Sequence, residues 1–263
     1  MYWLKRLRDY GLQKLGLLAT TTDWNDKEQV IKAVSEDGYE LENASDELKA
    51  DREVVMAATR EDSFALFYAS DELKADRKFI LAVIQNKNNW EALEYANKNL
   101  KADREIIMVA VQNDGRALQY ASKELRADRE IVLTAVQNYG WALQNASKEL
   151  NADRAIVLAA VQSYSGTLKC ASEELRNDRE IVMTAVQNDP LFHPRALEYA
   201  SKELRADREI VLAAVQNSGK ALKYASKELR ADREIVLAAV QKDGAALAGA
   251  NDEFRTDREI VLA

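Results

Sequence analysis

Apolar and polar positions recur along the chain in units of 25 residues. Each unit has a run of the type I-V-L-A-A-V, as at residues 210–215, followed by a weaker stripe such as Ala117, Leu118, Ala121 and Leu125. The run is apolar on nearly every side and predicts a helix packed between layers. The stripe, at i, i+1, i+4 and i+8, predicts one buried face of a shorter helix that is partly 3₁₀. Because strand-type alternation is absent from the sequence, the pattern indicates an all-α chain.

The pair Asp-Arg marks the register of these units. Successive pairs are 25 residues apart at every step except two, which are 27 and 29 residues long. Such short helices are unstable alone and must stack on their neighbours. We therefore predict an α-solenoid of about nine to ten two-helix repeats in a single elongated array. The pairs lie at 51–52, 76–77, 103–104, 128–129, 153–154, 178–179, 207–208, 232–233 and 257–258.

Most recurring residues of the unit have a structural explanation. The aspartate of the pair is a preferred helix N-cap, and we expect the following arginine to reach a carboxylate or carbonyl of the adjacent unit. A glycine such as Gly115 predicts a left-handed end to the first helix. A serine such as Ser122 predicts the end of the second helix or a cap on a short turn before the next aspartate. Glutamines such as Gln112 predict hydrogen bonds between units, with reading of RNA bases as the weaker alternative.

A basic residue also lies two positions before nearly every such aspartate. Stacked in space, these residues would form a positive stripe. A groove that tracks phosphates is one interpretation. The interpretation we favour is neutralisation by the neighbouring glutamate, as Glu203 would neutralise Arg205. The basic residues are Lys49, Lys74, Lys101, Arg126, Arg176, Arg205, Arg230 and Arg255.

The unit as a whole resembles a known repeat. The string R-E-I-V-L-A-A-V-Q, then A-L-x-Y-A-S-x-E-L-R-A-D, is similar to the family catalogued as the domain of unknown function numbered four-one-one-six, over residues 26–263. The resemblance implies an α-helical repeat and brings no activity, cofactor or catalytic residue with it. The unit length also resembles that of the leucine-rich variant repeats, which alternate α- and 3₁₀-helices, although their proline pattern is missing here.

The two ends of the chain differ from the repeats. Residues 1–22 carry four basic residues against one acidic residue, with apolar residues between them. We interpret them as a basic amphipathic helix that caps the array at residues 23–263, the alternatives being a membrane-surface anchor or an organelle presequence. The sequence stops at Ala263, halfway through a unit, and would leave residues 260–262 exposed. This incomplete last repeat favours a fragment of a longer array over an end that packs on another chain.

Composition argues against catalysis and membrane insertion. With 37 basic and 44 acidic residues the net charge is −7, which disfavours a nucleic-acid surface over the whole molecule. One cysteine and one histidine, Cys170 and His193, are too few for a conventional zinc site, so we expect no metal, no cofactor and no catalytic residue. We interpret Cys170 as a packing residue and His193 as a loop residue. A lone cysteine and the lack of an eighteen-residue apolar run favour an intracellular, cytoplasmic protein without a transmembrane helix.

Positions that vary between units are the candidates for recognition. The residue before each A-L and the residue three further on lie on one exposed row of the second helix. This row includes aromatic residues of the kind that interfaces use as anchors. The two longer steps add apolar residues at sites that need not be buried. The candidate partner-binding residues are Tyr39, Phe64, Phe67, Trp90, Arg116, Trp141, Leu191 and Phe192.

These features together favour a non-enzymatic scaffold or adaptor that binds protein partners. The first alternative is binding of nucleic acid or a phospholigand through the basic stripe. The second is a membrane-peripheral adaptor that docks on lipid through residues 1–22.

Overall fold

The computed structural model describes residues 22–86, 89–190 and 194–262. These residues form α-helices, 3₁₀-helices and turns, and no β-strand occurs among them, so the all-α prediction is confirmed. The chain divides into two compact units, Met1–Val83 and Ile84–Ala263. Residues 1–21, nearly all of the predicted N-terminal helix, lie outside the described part.

Each repeat contains three helical elements, one more than predicted. A complete repeat has the α-helix Arg129–Asn138, the 3₁₀-helix Gly140–Asn145 and the short 3₁₀ turn Leu150–Ala152. The second helix is therefore entirely 3₁₀ in this repeat, which suits its small number of residues. Within each unit, helices of successive repeats pack on one another, and this confirms the α-solenoid of 25-residue repeats.

The helices alternate in a regular order along the chain. The α-helices are Lys27–Glu36, Asp46–Lys49, Arg52–Glu61, Asp71–Ala75, Arg77–Gln85, Arg104–Asn113, Arg129–Asn138, Arg154–Ser163, Arg179–Gln187, Ala196–Tyr199, Arg208–Asn217, Arg233–Lys242 and Arg258–Val261. The 3₁₀-helices are Gly38–Asn43, Ser63–Tyr68, Asn89–Glu94, Leu100–Ala102, Gly115–Tyr120, Leu125–Ala127, Gly140–Asn145, Leu150–Ala152, Ser165–Cys170, Leu175–Asn177, Leu204–Ala206, Gly219–Tyr224, Leu229–Ala231, Gly244–Gly249 and Asp252–Arg255.

The predicted caps begin two of the three elements. The Asp128 carboxylate accepts hydrogen bonds from the amides of Glu130 and Ile131 at 3.0 and 3.1 Å, which satisfies amides that have no partner inside the helix. The Ser147 hydroxyl accepts a hydrogen bond from the Leu150 amide at 3.4 Å and so caps the short turn. Both caps recur along the array, and the predictions for aspartate and serine are confirmed.

The end of the first helix differs from the prediction. Asp114 follows the α-helix with φ −153° and ψ 121°, which is extended backbone rather than a left-handed turn. None of the glycines that the structure describes has a left-handed φ. The Asp114 carboxylate accepts a hydrogen bond from the Arg116 amide at 2.9 Å and caps the following 3₁₀-helix. One extended residue therefore ends one helix and begins the next.

Glycine is required after this residue because the next repeat approaches its α-carbon closely. A Cβ on Gly115 would lie 2.1 Å from the carbonyl oxygen of Ala135. In the first unit, a Cβ on Gly38 would lie 2.5 Å from the carbonyl oxygen of Ala58. Each distance is too short for a non-bonded carbon–oxygen contact, so a side chain at Gly38 or Gly115 would force the next repeat to shift locally. Ser63 and Ser165 begin the equivalent 3₁₀-helices of other repeats, so glycine is needed only where the approach is this close.

The core lies between successive α-helices. Ile131, Val132, Ala135 and Val136 are fully buried, and their helix packs against the α-helices of the repeats before and after it. This is the sandwiched position that the apolar run predicts. The expectation for the C-terminal end is wrong at Ile260, which is fully buried because its short helix packs on the preceding α-helix.

Candidate interaction surfaces

Four aromatic side chains of the first unit form one surface cluster, which we call the aromatic row: Tyr39, Phe64, Phe67 and Tyr68. The rings of Tyr39 and Phe64 stack with centroids 4.9 Å apart, and those of Phe64 and Phe67 stack at 5.4 Å. Tyr68 meets Phe67 edge-on at 5.2 Å. The structure thus brings three of the candidate residues together across two successive repeats. Tyr68 was missed because it lies outside the i, i+3 pattern.

The aromatic row is partly open to solvent. Phe67 is 51% exposed, whereas the other three side chains are half-buried. The Lys74 ammonium lies 5.9 Å from the centre of the Phe67 ring, within the range of a cation–π contact. The Tyr68 hydroxyl donates a hydrogen bond to the Glu42 carboxylate at 3.2 Å, which ties the row to the preceding repeat.

Trp90 and Arg116 lie together in the second unit, and Trp90 is only 5% exposed. The Arg116 guanidinium lies 4.8 Å from the centre of the indole, and the Tyr120 ring is 5.9 Å away. Arg116 also pairs with Asp114 at 2.6 Å. The expectation that Trp90 need not be buried is therefore wrong, because the next repeat covers its ring.

Trp141 forms a separate aromatic pair in the second unit. Its ring lies 5.5 Å from that of Tyr164, which is 46% exposed. Trp141 itself is half-buried. A Cβ on Gly166 would lie 3.2 Å from the Trp141 ring, so the indole packs directly on the glycine backbone.

The remaining candidates, Leu191 and Phe192, lie outside the described residues. Next to them in the sequence, Asp189 is only 8% exposed, and its side chain forms hydrogen bonds with residues before and after this 29-residue step. Its carboxylate accepts a hydrogen bond from the Ser165 hydroxyl at 2.8 Å and another from the Ala196 amide at 2.8 Å. Burial raises the pKa of this carboxyl group, although both hydrogen bonds oppose the rise.

Replacing Asp189 by asparagine should therefore leave the free energy of unfolding unchanged or raise it by about 1 kcal/mol. The amide removes a buried charge, still accepts from Ala196, and donates to the Ser165 oxygen. Asp189→Ala should instead lower the free energy of unfolding by about 2 kcal/mol, since two buried donors lose their acceptor. Urea unfolding at pH 7 compares the two variants, and equal losses would contradict this account.

The arginine of the Asp-Arg pair forms a ladder of ion pairs, as predicted. Arg104 reaches Asp128 at 3.1 Å, Arg129 reaches Asp153 at 2.8 Å, and Arg154 pairs with the next capping aspartate and also with Glu180. Each arginine is about half exposed, so a single pair contributes little to stability. The recurrence of the pair is thus explained by contacts between neighbouring repeats.

The second basic row behaves differently from the prediction. Among the described residues, Arg205 and Arg230 have no carboxylate within 4.0 Å, and Arg176 has only Glu173, at 3.8 Å. Glu203 and Glu228 are held by their own amides and by serine hydroxyls, and these hydrogen bonds lower the pKa of both carboxyl groups. The expectation that these glutamates neutralise the row is therefore wrong at Arg205 and Arg230.

Two further contacts between repeats escaped the sequence analysis. The Tyr120 hydroxyl donates a hydrogen bond to Glu94 at 3.1 Å, and burial together with this hydrogen bond raises the pKa of Tyr120 to about 12. The Asn138 amide donates to the carbonyl oxygen of Gln112 at 3.1 Å. Since the Gln112 side chain is exposed, asparagine rather than glutamine forms the side-chain hydrogen bond between these repeats.

Among the described residues, other kinds of site find little support. No cluster of histidine, cysteine, aspartate and glutamate suited to a metal ion occurs among the residues with a described position. Within the same residues, no helix is both long and apolar enough to cross a membrane. Cys170 is free and half-buried, and burial raises the pKa of its thiol, which does not favour a reactive thiolate.

One family model matches the chain repeatedly, with the description "Domain of unknown function (DUF4116)". The matched segments are 26–74, 51–101, 76–126, 103–151, 128–176, 153–192, 178–230 and 232–263. The chain belongs to this family. Six of the eight matches to DUF4116 span about two of the three-element repeats described above, and the resemblance seen in the sequence is confirmed. No curated protein and no solved structure matches the chain.

Proposed function

We propose that this chain is a non-enzymatic, intracellular scaffold that binds a protein partner through the aromatic row. The observation that carries the proposal is the exposure of Phe67, 51%, at the end of a stack that begins at Tyr39. Large aromatic side chains held rigid by their neighbours contribute much binding energy at little entropic cost.

The charge around the aromatic row suggests the chemistry of the partner. Between residues 23 and 83 the chain has sixteen acidic and eight basic side chains. Charge complementarity steers association and suppresses partners of like charge. We therefore expect a partner segment with apolar side chains that contact Phe67 and with lysine or arginine around them.

Phe67→Ala should weaken binding of this partner about tenfold or more, because an aromatic anchor is truncated. The measurement is a nuclease-treated pull-down from source lysate, quantified by mass spectrometry and followed by titration of the protein recovered. Tyr139→Ala is the matched control, since Tyr139 is 37% exposed and lies outside the aromatic row.

A stoichiometric protein that survives nuclease and is lost only with Phe67→Ala supports the proposal. Equal recovery with both variants, at unchanged circular dichroism, contradicts it. A lipid-docking role through residues 1–22 stays a prediction, which liposome binding by a chain lacking those residues tests.

A further inference from the structure

The second helices of the second unit form a layer whose variable positions change in charge along the chain. Second helices of successive repeats pack on one another, as Gly140–Asn145 does on Ser165–Cys170, so the two variable positions of each helix form two parallel rows. Near the start of the unit these rows carry Glu91 and Glu94. From residue 141 onwards their charged members are Lys169, Arg195, Glu198, Lys220 and Lys223. Four basic residues against one acidic residue give this part of an acidic protein a local positive charge.

The basic residues of these rows are poorly neutralised by the protein itself. Lys169 and Lys223 are exposed, and no carboxylate of the described residues lies within 4.0 Å of either ammonium. Lys220 and Arg195 have carboxylates at 3.6 and 3.7 Å, distances longer than a hydrogen bond. The Asp-Arg ladder differs, because each of its arginines pairs closely with the next repeat. Positive charge is therefore available to a ligand on the layer of second helices.

Two aromatic rings meet next to the first of these lysines. A Cβ on Gly166 would lie 2.9 Å from Cε1 of Tyr164 and 3.2 Å from Cζ2 of Trp141, so both rings pack against the glycine. The equivalent position in the next two repeats carries a long basic side chain. Because side chains at i and i+3 of a 3₁₀-helix lie one above the other, Lys169 is one turn from the point where the rings meet.

The local backbone does not explain why residue 164 is a tyrosine. Asp62 and Asp114 occupy the same position in other repeats, and each accepts a hydrogen bond from the amide two residues later, at 2.8 and 2.9 Å. Tyr164 forms no such cap. This repeat thus lacks both a cap and a negative charge, and it presents instead a ring that is 46% exposed. A ligand that stacks on the ring explains the exchange.

An exposed ring among unneutralised cations suits a strand of bases and phosphates. Every base has a π-face that can stack on an aromatic side chain, and lysine and arginine bind the phosphates. A lipid surface fits less well, because docking on lipid requires apolar side chains that insert below the headgroups. Between residues 141 and 223, Tyr164 is the only exposed large hydrophobic side chain that the structure describes.

We propose that this surface binds single-stranded nucleic acid, with a base stacked on the two rings and phosphates paired with the four cations. We call it the stacking face, and its residues are Trp141, Tyr164, Lys169, Arg195, Lys220 and Lys223. Since none of them belongs to the aromatic row, the inference is independent of the proposed protein partner. The net charge of −7 repels a polyanion from the rest of the chain and so favours binding at this face.

The test titrates the purified chain with fluorescein-labelled oligothymidylate and oligouridylate of twelve nucleotides and follows the fluorescence anisotropy. A twelve-unit abasic strand carries the same phosphates without bases and measures the contribution of charge alone. Vesicles of equimolar phosphatidylcholine and phosphatidylserine measure binding to lipid.

Two pairs of variants separate stacking from charge. Tyr164→Ala removes the exposed ring, and Tyr164→Phe retains it as the matched control. Lys169→Gln/Lys223→Gln removes two charges from the stacking face, whereas Lys123→Gln/Lys148→Gln removes the same charge from exposed positions elsewhere in the second unit. Circular dichroism verifies that all four variants are folded.

The proposal expects at least one of the two base-bearing strands to bind about tenfold more tightly than the abasic strand. Tyr164→Ala should remove this advantage and Tyr164→Phe should retain it. Lys169→Gln/Lys223→Gln should lower the magnitude of the slope of log affinity against log salt by about 1.4, since each phosphate contact on a single strand contributes about 0.7. The control lysine variant should leave the slope unchanged.

Three results would overturn the proposal. Equal binding of the abasic and base-bearing strands, or no binding of any strand, excludes stacking of bases on Tyr164. Equal effects of the two lysine variants exclude the stacking face as the site. Vesicle binding that depends on Tyr164, without binding of either base-bearing strand, replaces nucleic acid by a lipid surface.

Discussion

Replacing Gly115 by alanine is expected to lower the free energy of unfolding by about 3 kcal/mol. The new methyl group would lie 2.1 Å from the carbonyl oxygen of Ala135 and 2.9 Å from the Cβ of Tyr139. Neither neighbour can rotate away, because one is helix backbone and the other is the first side-chain atom. The repeat must therefore separate from the next one, and buried apolar contacts are lost along the whole seam.

Gly244→Ala is the matched control for this variant. Gly244 begins an equivalent 3₁₀-helix after an equivalent aspartate, yet a Cβ there would meet nothing within 4 Å. Alanine should be neutral here or raise the free energy of unfolding by up to about 1 kcal/mol, because it restricts the unfolded chain. Urea unfolding of both variants checks the contrast, and similar values would show that glycine serves only the local backbone.

Acidification below about pH 4 is expected to lower the melting temperature by about 10 °C or more. The capping aspartates Asp128, Asp153 and Asp178 have pKa values below the ordinary value of 3.8. For Asp153 the main cause is the hydrogen bond from Arg129. For Asp128 and Asp178 burial is the largest effect and raises the pKa, but the helix amides and a guanidinium together outweigh it.

The sign follows from these lowered pKa values. A carboxylate that is easier to ionise in the folded chain stabilises it above the unfolded pKa, and this contribution disappears as the pH falls through the folded pKa. Thermal unfolding followed by circular dichroism from pH 7 to pH 2.5 measures the loss. The variant Asp153→Asn/Asp178→Asn should show a shallower fall, because asparagine caps a helix equally well and does not titrate. A melting temperature that stays constant down to pH 3 would contradict a stabilising contribution from the ionised capping aspartates.

Much of the fold could be predicted from the sequence because each signal was local. Aspartate and serine caps depend on amides two or three residues away, and the apolar run determines burial without knowledge of the neighbour. The arginine ladder followed from the spacing of the repeats. The prediction for Gly115 was wrong, because a left-handed turn and a close approach both require glycine and only the three-dimensional structure distinguishes them.

The candidate surface was less accessible to sequence reasoning for a related reason. The clustering of Tyr39, Phe64 and Phe67 could be predicted. Phe64 and Phe67 are three residues apart in one helix, and Tyr39 occupies the position of Phe64 in the preceding repeat. The burial of Trp90 could not, because it depends on Arg116 of the next repeat covering the indole. The sequence did not reveal that Arg205 has no carboxylate partner, because the Glu203 carboxylate instead accepts hydrogen bonds from a nearby amide and a hydroxyl.

The two edges of the second unit respond differently to added residues. Across the 29-residue step, Arg179 still pairs with Glu209 and the Ser201 amide still binds the Arg176 carbonyl, as their counterparts do across 25-residue steps. The added residues fall between the α-helix and the second helix, away from both contacts. The edge that carries the Arg179–Glu209 and Ser201–Arg176 contacts thus maintains the register of the repeats, whereas the edge between the α-helix and the second helix accommodates insertions. Evolution can therefore lengthen and diversify loops on a single edge without altering how the next repeat docks.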